Sequence, residues 1–169
     1  MRQNIENNPL KLGDTVLKEN SEYSYLGDII HMDGLSSSIF ATIKKREGRS
    51  IAAINEINTI IEDCRMKSIG GALAGLEIWE LALVPSILTN ADTWLEIDEE
   101  SIKALDNLQY TMCRYLLNTP RSTAKPFLLW DLGLLKMENR IIMKKLNLYH
   151  HIINLPNKDL ANEIINLQI

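Results

Sequence analysis

The sequence predicts a mostly α fold, a bundle of five or six helices preceded by a small N-terminal β-hairpin. Three observations predict it. After residue 34, apolar residues recur at spacings of three and four over most of the chain, the period of a helix that buries one face. Hydrophobic residues make up 46% of the chain but aromatics only 6%, so Leu and Ile carry the core, as in helix-on-helix packing. Strand-forming residues in turn-rich surroundings cluster before residue 34. At 169 residues the chain has one domain's length and can bury a core.

Residues 1–14 are polar and carry the breakers Asn7-Asn8-Pro9 and Gly13-Asp14, which predict a flexible segment. Residues 15–34 predict the hairpin. Thr15-Val16-Leu17 is a short β-prone run, Lys18 to Ser21 supply turn residues, and Tyr23, Tyr25, Ile29 and Ile30 are strand formers. Gly27 marks a bulge or a close backbone approach. A lone hairpin is barely stable in water, so this one must pack on the helices or join a sheet beyond them.

Residues 35–169 predict the helical body. Ser36, Ser37 and Ser38 offer N-caps for a long helix with apolar positions Ile39, Phe40, Ile43, Ile51, Ile54, Ile57 and Ile61. The charged stretch KKREGRS, residues 44–50, interrupts that stripe, and the helix either kinks at Gly48 or runs through it. A connection at 64–71 ends in Gly70-Gly71. The next helix holds Leu73, Leu76, Trp79, Leu83, Ile87 and Leu88, with Pro85 predicting a kink or break near Ala82 to Val84. Asp98 caps a further helix whose stripe is Ile102, Leu105, Leu108, Met112 and Tyr115-Leu116, and Asn118-Thr119-Pro120 ends it. A short helix follows from Ser122 or Thr123, then one from Lys136 to about Asn154 that Pro156 stops, then a last one from Asp159 to Gln168.

Chemistry-bearing motifs are sparse. The sequence holds no GxGxxG, Walker loop, GxSxG or HExxH, and no cofactor is implied. Cys64 and Cys113 belong to no zinc spacing and are expected as reduced, core or part-buried thiols. His150 and His151 are neighbours, about 100° apart on a helix, so they do not form a metal pair. They are expected as one ring at the core edge and one in solvent. Asp28 and Asp33 read as turn residues, and Glu96, Asp98, Glu99 and Glu100 as a helix cap. Trp79, Trp94 and Trp130 lie at apolar runs and are expected to pack in or against the core. No apolar run reaches the roughly 18 residues of a membrane span, and the N-terminus lacks a signal peptide's apolar core. An intracellular protein, cytoplasmic or nuclear, with no membrane partner is expected.

Charge is uneven. Residues 1–110 carry ten Lys and Arg against eighteen Asp and Glu, whereas residues 111–169 carry eight against four. The net charge of −4 disfavours tight nucleic-acid binding by the chain as a whole, because phosphate contacts need cations. Two local basic stretches stand out. Lys44, Lys45, Arg46 and Arg49 cluster on the first long helix. Lys136, Arg140 and Lys144 recur at every fourth position, with Lys145 beside them and Ile141, Leu148 and Ile152 opposite. Such ridges suit a phosphate backbone, although a solvated face of an amphipathic helix has the same pattern.

Taken in order, these pieces resemble the region after the palm in reverse transcriptases of non-LTR retrotransposons. The matching pieces are the strand Tyr25-Leu26-Gly27, the Ile-rich helix from Ile39 to Ile61 and LALVPSILTNADTW from Leu81 to Trp94. LQYTMCRYLL from Leu108 to Leu117, the segment from Pro126 to Ile141 around LLWDLGLLKMENRI, and Tyr149 to Ile152 complete the order. The resemblance implies that the hairpin matches the end of the palm and that the helices match the thumb and connection, which grip a template-primer duplex. The family's catalytic Tyr-x-Asp-Asp does not occur here, so no catalytic or metal-binding role is inherited and the chain is expected to be no enzyme by itself. It is expected instead to be a fragment or remnant of such a polymerase. The implied function is a non-catalytic module that positions duplex through phosphate contacts by Lys44, Lys45, Arg46, Arg49, Lys136, Arg140 and Lys144, with the missing palm or the duplex as partner. The alternative is a remnant acting as a helical protein-interaction module, bound to another protein or to its own copy.

Overall fold

The computed structural model describes residues 11–12, 15–16, 20–63 and 69–156, with side chains at 20–59 and 70–156. The fold is the mostly α bundle with a small antiparallel hairpin that the patterning predicts. The expected flexible segment 1–14 (apart from Lys11–Leu12), Cys64, most of the connection at 64–71 and the expected last helix at 159–168 lie outside the described residues.

Strand β1 (Lys11–Leu12) pairs with β2 (Thr15–Val16), and β3 (Glu22–Tyr25) pairs with β4 (Asp28–His31), both antiparallel. The second ladder corrects the expected pairing. Thr15-Val16 does not face the Tyr23 strand, and the hairpin closes at Leu26-Gly27 instead. Both turn residues have positive φ, 46° and 91°, as a two-residue type I′ turn requires. Gly27 is therefore the turn and not a bulge. Leu26 is strained there, because an L side chain in the left-handed region costs roughly 1–2 kcal/mol. Its side chain is 79% exposed, so little packing offsets that strain. Leu26→Asn is expected to raise stability by about 1 kcal/mol, read as a higher urea midpoint at unchanged slope.

Helix α1 (Leu35–Asp63) starts after Gly34, so Ser36 to Ser38 lie inside it and not before it. Ser38 Oγ donates to Gly34 O at 2.7 Å and accepts the His31 amide at 2.8 Å. Thr42 Oγ1 accepts the Ile29 amide at 2.7 Å. Two hydroxyls of α1 thus satisfy the outer edge of β4. The helix runs through Gly48 as one element. Its buried stripe is Ile39, Thr42, Ile43, Arg46, Ser50 and Ile54. This differs from the expected all-apolar stripe: Ile51 faces solvent at 41% exposure, while a charged residue, a threonine and a serine hold inward positions.

Helix α2 (Ile69–Ile78) already contains Gly70-Gly71. It passes through a π turn (Trp79–Leu83) into α3 (Val84–Ile87) without a break. Pro85 neither breaks nor ends the run. Its missing N–H and its ring would disturb an ordinary α turn at the preceding carbonyls, and the wider π turn, closed by Val84 N–H to Trp79 O, absorbs that. The stretch Gly70–Ile87 has the length and mean hydropathy, 1.2 over 18 residues, of a membrane span, which the sequence reading did not anticipate. Trp79, Val84 and Ile87 nevertheless close on the core, while Leu73, Ile78 and Leu81 face outward.

Helix α4 (Glu99–Leu117) is the centre of the bundle and packs against α1, α2 and the two helices that follow. Asp98 caps it as expected, accepting the Ser101 amide at 2.6 Å. Ala104, Leu105, Leu108 and Met112 join the main core with Ile39, Ile43, Ile54, Trp79 and Ile87. The other side of α4, with Tyr110 and Cys113, forms a second cluster with Leu128 and Leu129. Burial pushes the Cys113 thiol up to about 11, so it stays neutral and inert. Helix α5 (Lys125–Asp131) buries Leu128 and Leu129 and turns at Gly133, which has positive φ. Trp130 is 80% exposed, edge-on to Phe127, which corrects its expected place in the core. Helix α6 (Met137–Ile153) starts at an Asp106 carboxylate that accepts the Met137 amide. His150 and His151 are both exposed, so neither ring is at the core edge.

Candidate nucleic-acid interface

The seven expected phosphate contacts divide into two kinds. Arg46 lies on the inward stripe of α1 and is 8% exposed. Its guanidinium donates to Ile87 O at 3.0 Å, Thr89 O at 2.7 Å and Asp28 Oδ1 at 2.5 Å, and it stands 5.9 Å from the Trp94 ring centre. Asp28, expected as a turn residue, also accepts from Asn90 Nδ2 at 2.7 Å. Burial pulls the guanidinium below its ordinary pKa, with the charge and hydrogen bond of Asp28 opposing that pull. Arg140, only partly buried, is also paired. It forms a two-pronged pair with Glu80 of the π turn, at 2.6 and 2.8 Å. Both arginines serve the fold, and a phosphate reaching either must displace these partners.

The other five remain toward solvent or partly so. Lys44 bonds Glu47 at 2.9 Å and lies 5.4 Å from the centre of the Phe40 ring. It stands at the edge of an acidic cleft of about 620 Å³ that includes Glu22, Asp33, Asp98 and Glu100, an unfavourable neighbourhood for phosphate. Burial would raise the Asp98 carboxyl, but hydrogen bonds from the Ser101 amide and hydroxyl and from Ser36 outweigh it and hold the group below its usual range. His31 sits on the same cleft, with Asp33 at 3.3 Å and Glu22 at 3.8 Å. Lys45 bonds Ser24 of the hairpin at 2.9 Å. Arg49 is exposed one turn further on. Lys136 precedes the first turn of α6 and Lys144 lies on it; α6 packs mainly on α4 and the 91–93 turn, so the structure does not merge the α1 and α6 ridges into one.

Among the described residues, no group of three His, Cys, Asp or Glu is placed to hold a metal ion. Sequence reasoning missed a second positive surface. Arg114 and Arg121 line a cleft of about 650 Å³ at the C-terminal end of α4. The signal for it is that residues 107–130 contain Arg114, Arg121 and Lys125 and no Asp or Glu. No protein-family model matches the chain, no curated protein aligns with it, and no solved structure matches its fold.

Proposed function

We propose that the chain is a non-catalytic, thumb- and connection-like module of the reverse-transcriptase kind, which joins a palm sheet through its hairpin and holds a template-primer duplex by its phosphates. The observation that carries this reading is the asymmetry of the hairpin. The two-residue turn makes Tyr25–Asp28 and Tyr23–Ile30 the hydrogen-bonded pairs. The outward amides of β4 are then those of Ile29 and His31, and α1 satisfies both. By the same alternation the outward groups of β3 belong to Glu22 and Ser24, which meet no backbone partner among the described residues. Tyr23 and Tyr25 beside them are 62% and 56% exposed. A hairpin stitched to its helices along one edge, and along the other without a backbone partner among the described residues, is suited to receive a further strand.

On this reading Lys45, Arg49, Lys136 and Lys144 make the duplex contacts, with Lys44 at their margin. Four phosphate contacts give a salt slope of about −3.6, so affinity for a short RNA–DNA duplex should fall roughly a hundredfold between about 50 and 200 mM salt. Alanine at those four positions should remove most of the slope, as read by fluorescence anisotropy. Arg140 is left intact in that variant, because its loss would strand Glu80.

A second reading, a helical protein-interaction module, is favoured by one observation. Ile142, Leu146, Tyr149 and Ile153 are exposed on α6 at intervals of four, three and four residues, roughly 120° around the helix from its core stripe. That is the seam of a helix-packing interface. Absence of duplex binding at low salt, together with a stable dimer in sedimentation, selects this reading over the first.

A further inference from the structure

The cleft at the C-terminal end of α4 combines three features that point to one ligand. Among the described residues its charged side chains are Arg114 on α4 and Arg121 just beyond the helix, both cationic, with no carboxylate beside them. Neither arginine has an ion-pair partner among the described residues, unlike Arg46 and Arg140. In addition, Arg114 Nε and the Thr119 hydroxyl are buried beside it with no hydrogen-bond partner among the described residues. Native interiors seldom leave such groups unmade. A water would satisfy one N–H but leave two guanidinium charges facing the same space.

Local structure places these groups together. Asn118 takes a left-handed conformation, and the amides of Asn118 and Thr119 turn back onto the last carbonyls of α4. The chain therefore folds over the helix end, bringing Thr119 and Arg121 to the side of the helix that bears Arg114. The same bonds occupy the Arg114 and Tyr115 carbonyls, whose partial negative charge would otherwise oppose an anion. Tyr115 donates to Asn55 of α1 at 3.4 Å, which ties the far wall to the long helix.

We propose that this cleft is an oxyanion site that takes a phosphate group, held by the guanidinium groups of Arg114 and Arg121. A phosphate offers acceptors for a forked guanidinium pair and a charge that matches two cations. None of these residues belongs to the α1 or α6 ridges, so the site stands apart from the proposed function. Only the source of the phosphate, nucleic-acid backbone or free anion, bears on that reading.

The test follows the Arg Nε–H resonances of the intact chain by NMR during titration with inorganic pyrophosphate and, separately, with a short RNA–DNA duplex. The Arg114 signal should move saturably with at least one probe. Arg121→Ala, at an exposed position, should weaken that response at least tenfold while leaving the fold intact, and Arg121→Lys, which keeps the charge but not the fork, should restore only part of it. A response to pyrophosphate alone assigns a free anion, and supports the site even if duplex binding fails. A duplex response lost in Arg121→Ala assigns a backbone phosphate. An Arg114 signal unmoved by both probes, or one that moves equally in Arg121→Ala, overturns the site. Duplex binding that survives Arg121→Ala but is lost when Lys45 and Arg49 are replaced supports the proposed function alone, and together with an Arg114 signal unmoved by pyrophosphate it overturns the site.

Discussion

Replacing Arg46 by methionine is expected to cost about 3–5 kcal/mol of folding stability, the usual cost of breaking a buried ion pair by removing one partner. That is a large share of the roughly 5–15 kcal/mol that holds a domain together. The reason lies in what the guanidinium joins. Ile87 and Thr89 carry carbonyls at the end of α3, where a helix leaves acceptors without partners, and Arg46 satisfies both. Its remaining arm holds Asp28 at the first position of β4. One side chain thus fastens the hairpin, the long helix and the end of the proline-containing run. Methionine keeps much of the stem's packing but leaves both carbonyls without this donor and the carboxylate with Asn90 but no countercharge. Lysine should recover only part of the loss, because a point charge cannot span three acceptors. Urea unfolding followed by far-UV circular dichroism measures the effect, with Arg49→Ala on the same helix as a control expected within about 0.5 kcal/mol of the parent. A loss below about 1 kcal/mol for Arg46→Met would return this residue to the solvent-facing set.

Arg46 also shows where the sequence could be read and where it could not. The stripe Ile39, Ile43, Ser50, Ile54 has helical spacing, and Arg46 falls in line with it. Its charge argued for solvent because an arginine is rarely buried without a partner. The partners, Asp28 and two carbonyls near residue 88, are distant in sequence, and no local pattern announces them. Arg140 deceived in the same way, since Glu80 is sixty residues away. What depends on neighbours along the chain was legible. Asp98 capped its helix, and α6 began and ended within a residue of the expected limits because Lys136 and Asn154 bracket a clean helical period. The hairpin was placed in the right region but paired wrongly. Leu26-Gly27 is a poor type I′ sequence, whereas Lys18 to Ser21 carries better turn residues. Trp130 was expected in or against the core because its neighbours are apolar, but Leu128 and Leu129 already fill the inward side of the short α5.

The second large effect is expected at Trp79. This side chain is fully buried, at 0% exposure, in the main core, and its carbonyl closes the π turn ahead of Pro85. Trp79→Ala removes the largest side chain of the interior, so the cost should be about 3–5 kcal/mol from lost burial and the remaining cavity. The backbone bond that accommodates the proline does not depend on the indole, so the helical run should persist and the loss should appear as a lower urea midpoint. Trp79→Phe separates size from polarity. The indole Nε1 is buried with no acceptor among the described residues, and an unmade donor costs roughly 1–3 kcal/mol. Phenylalanine gives up some volume but removes that donor, so its net cost should stay within about 1 kcal/mol. If Trp79→Phe proves as damaging as Trp79→Ala, the indole N–H has a bound water as partner and contributes to stability instead of opposing it. If Trp79→Ala costs less than about 1.5 kcal/mol, below the range for emptying an aromatic site, the neighbouring helices close over the gap and the π turn is not anchored by this ring.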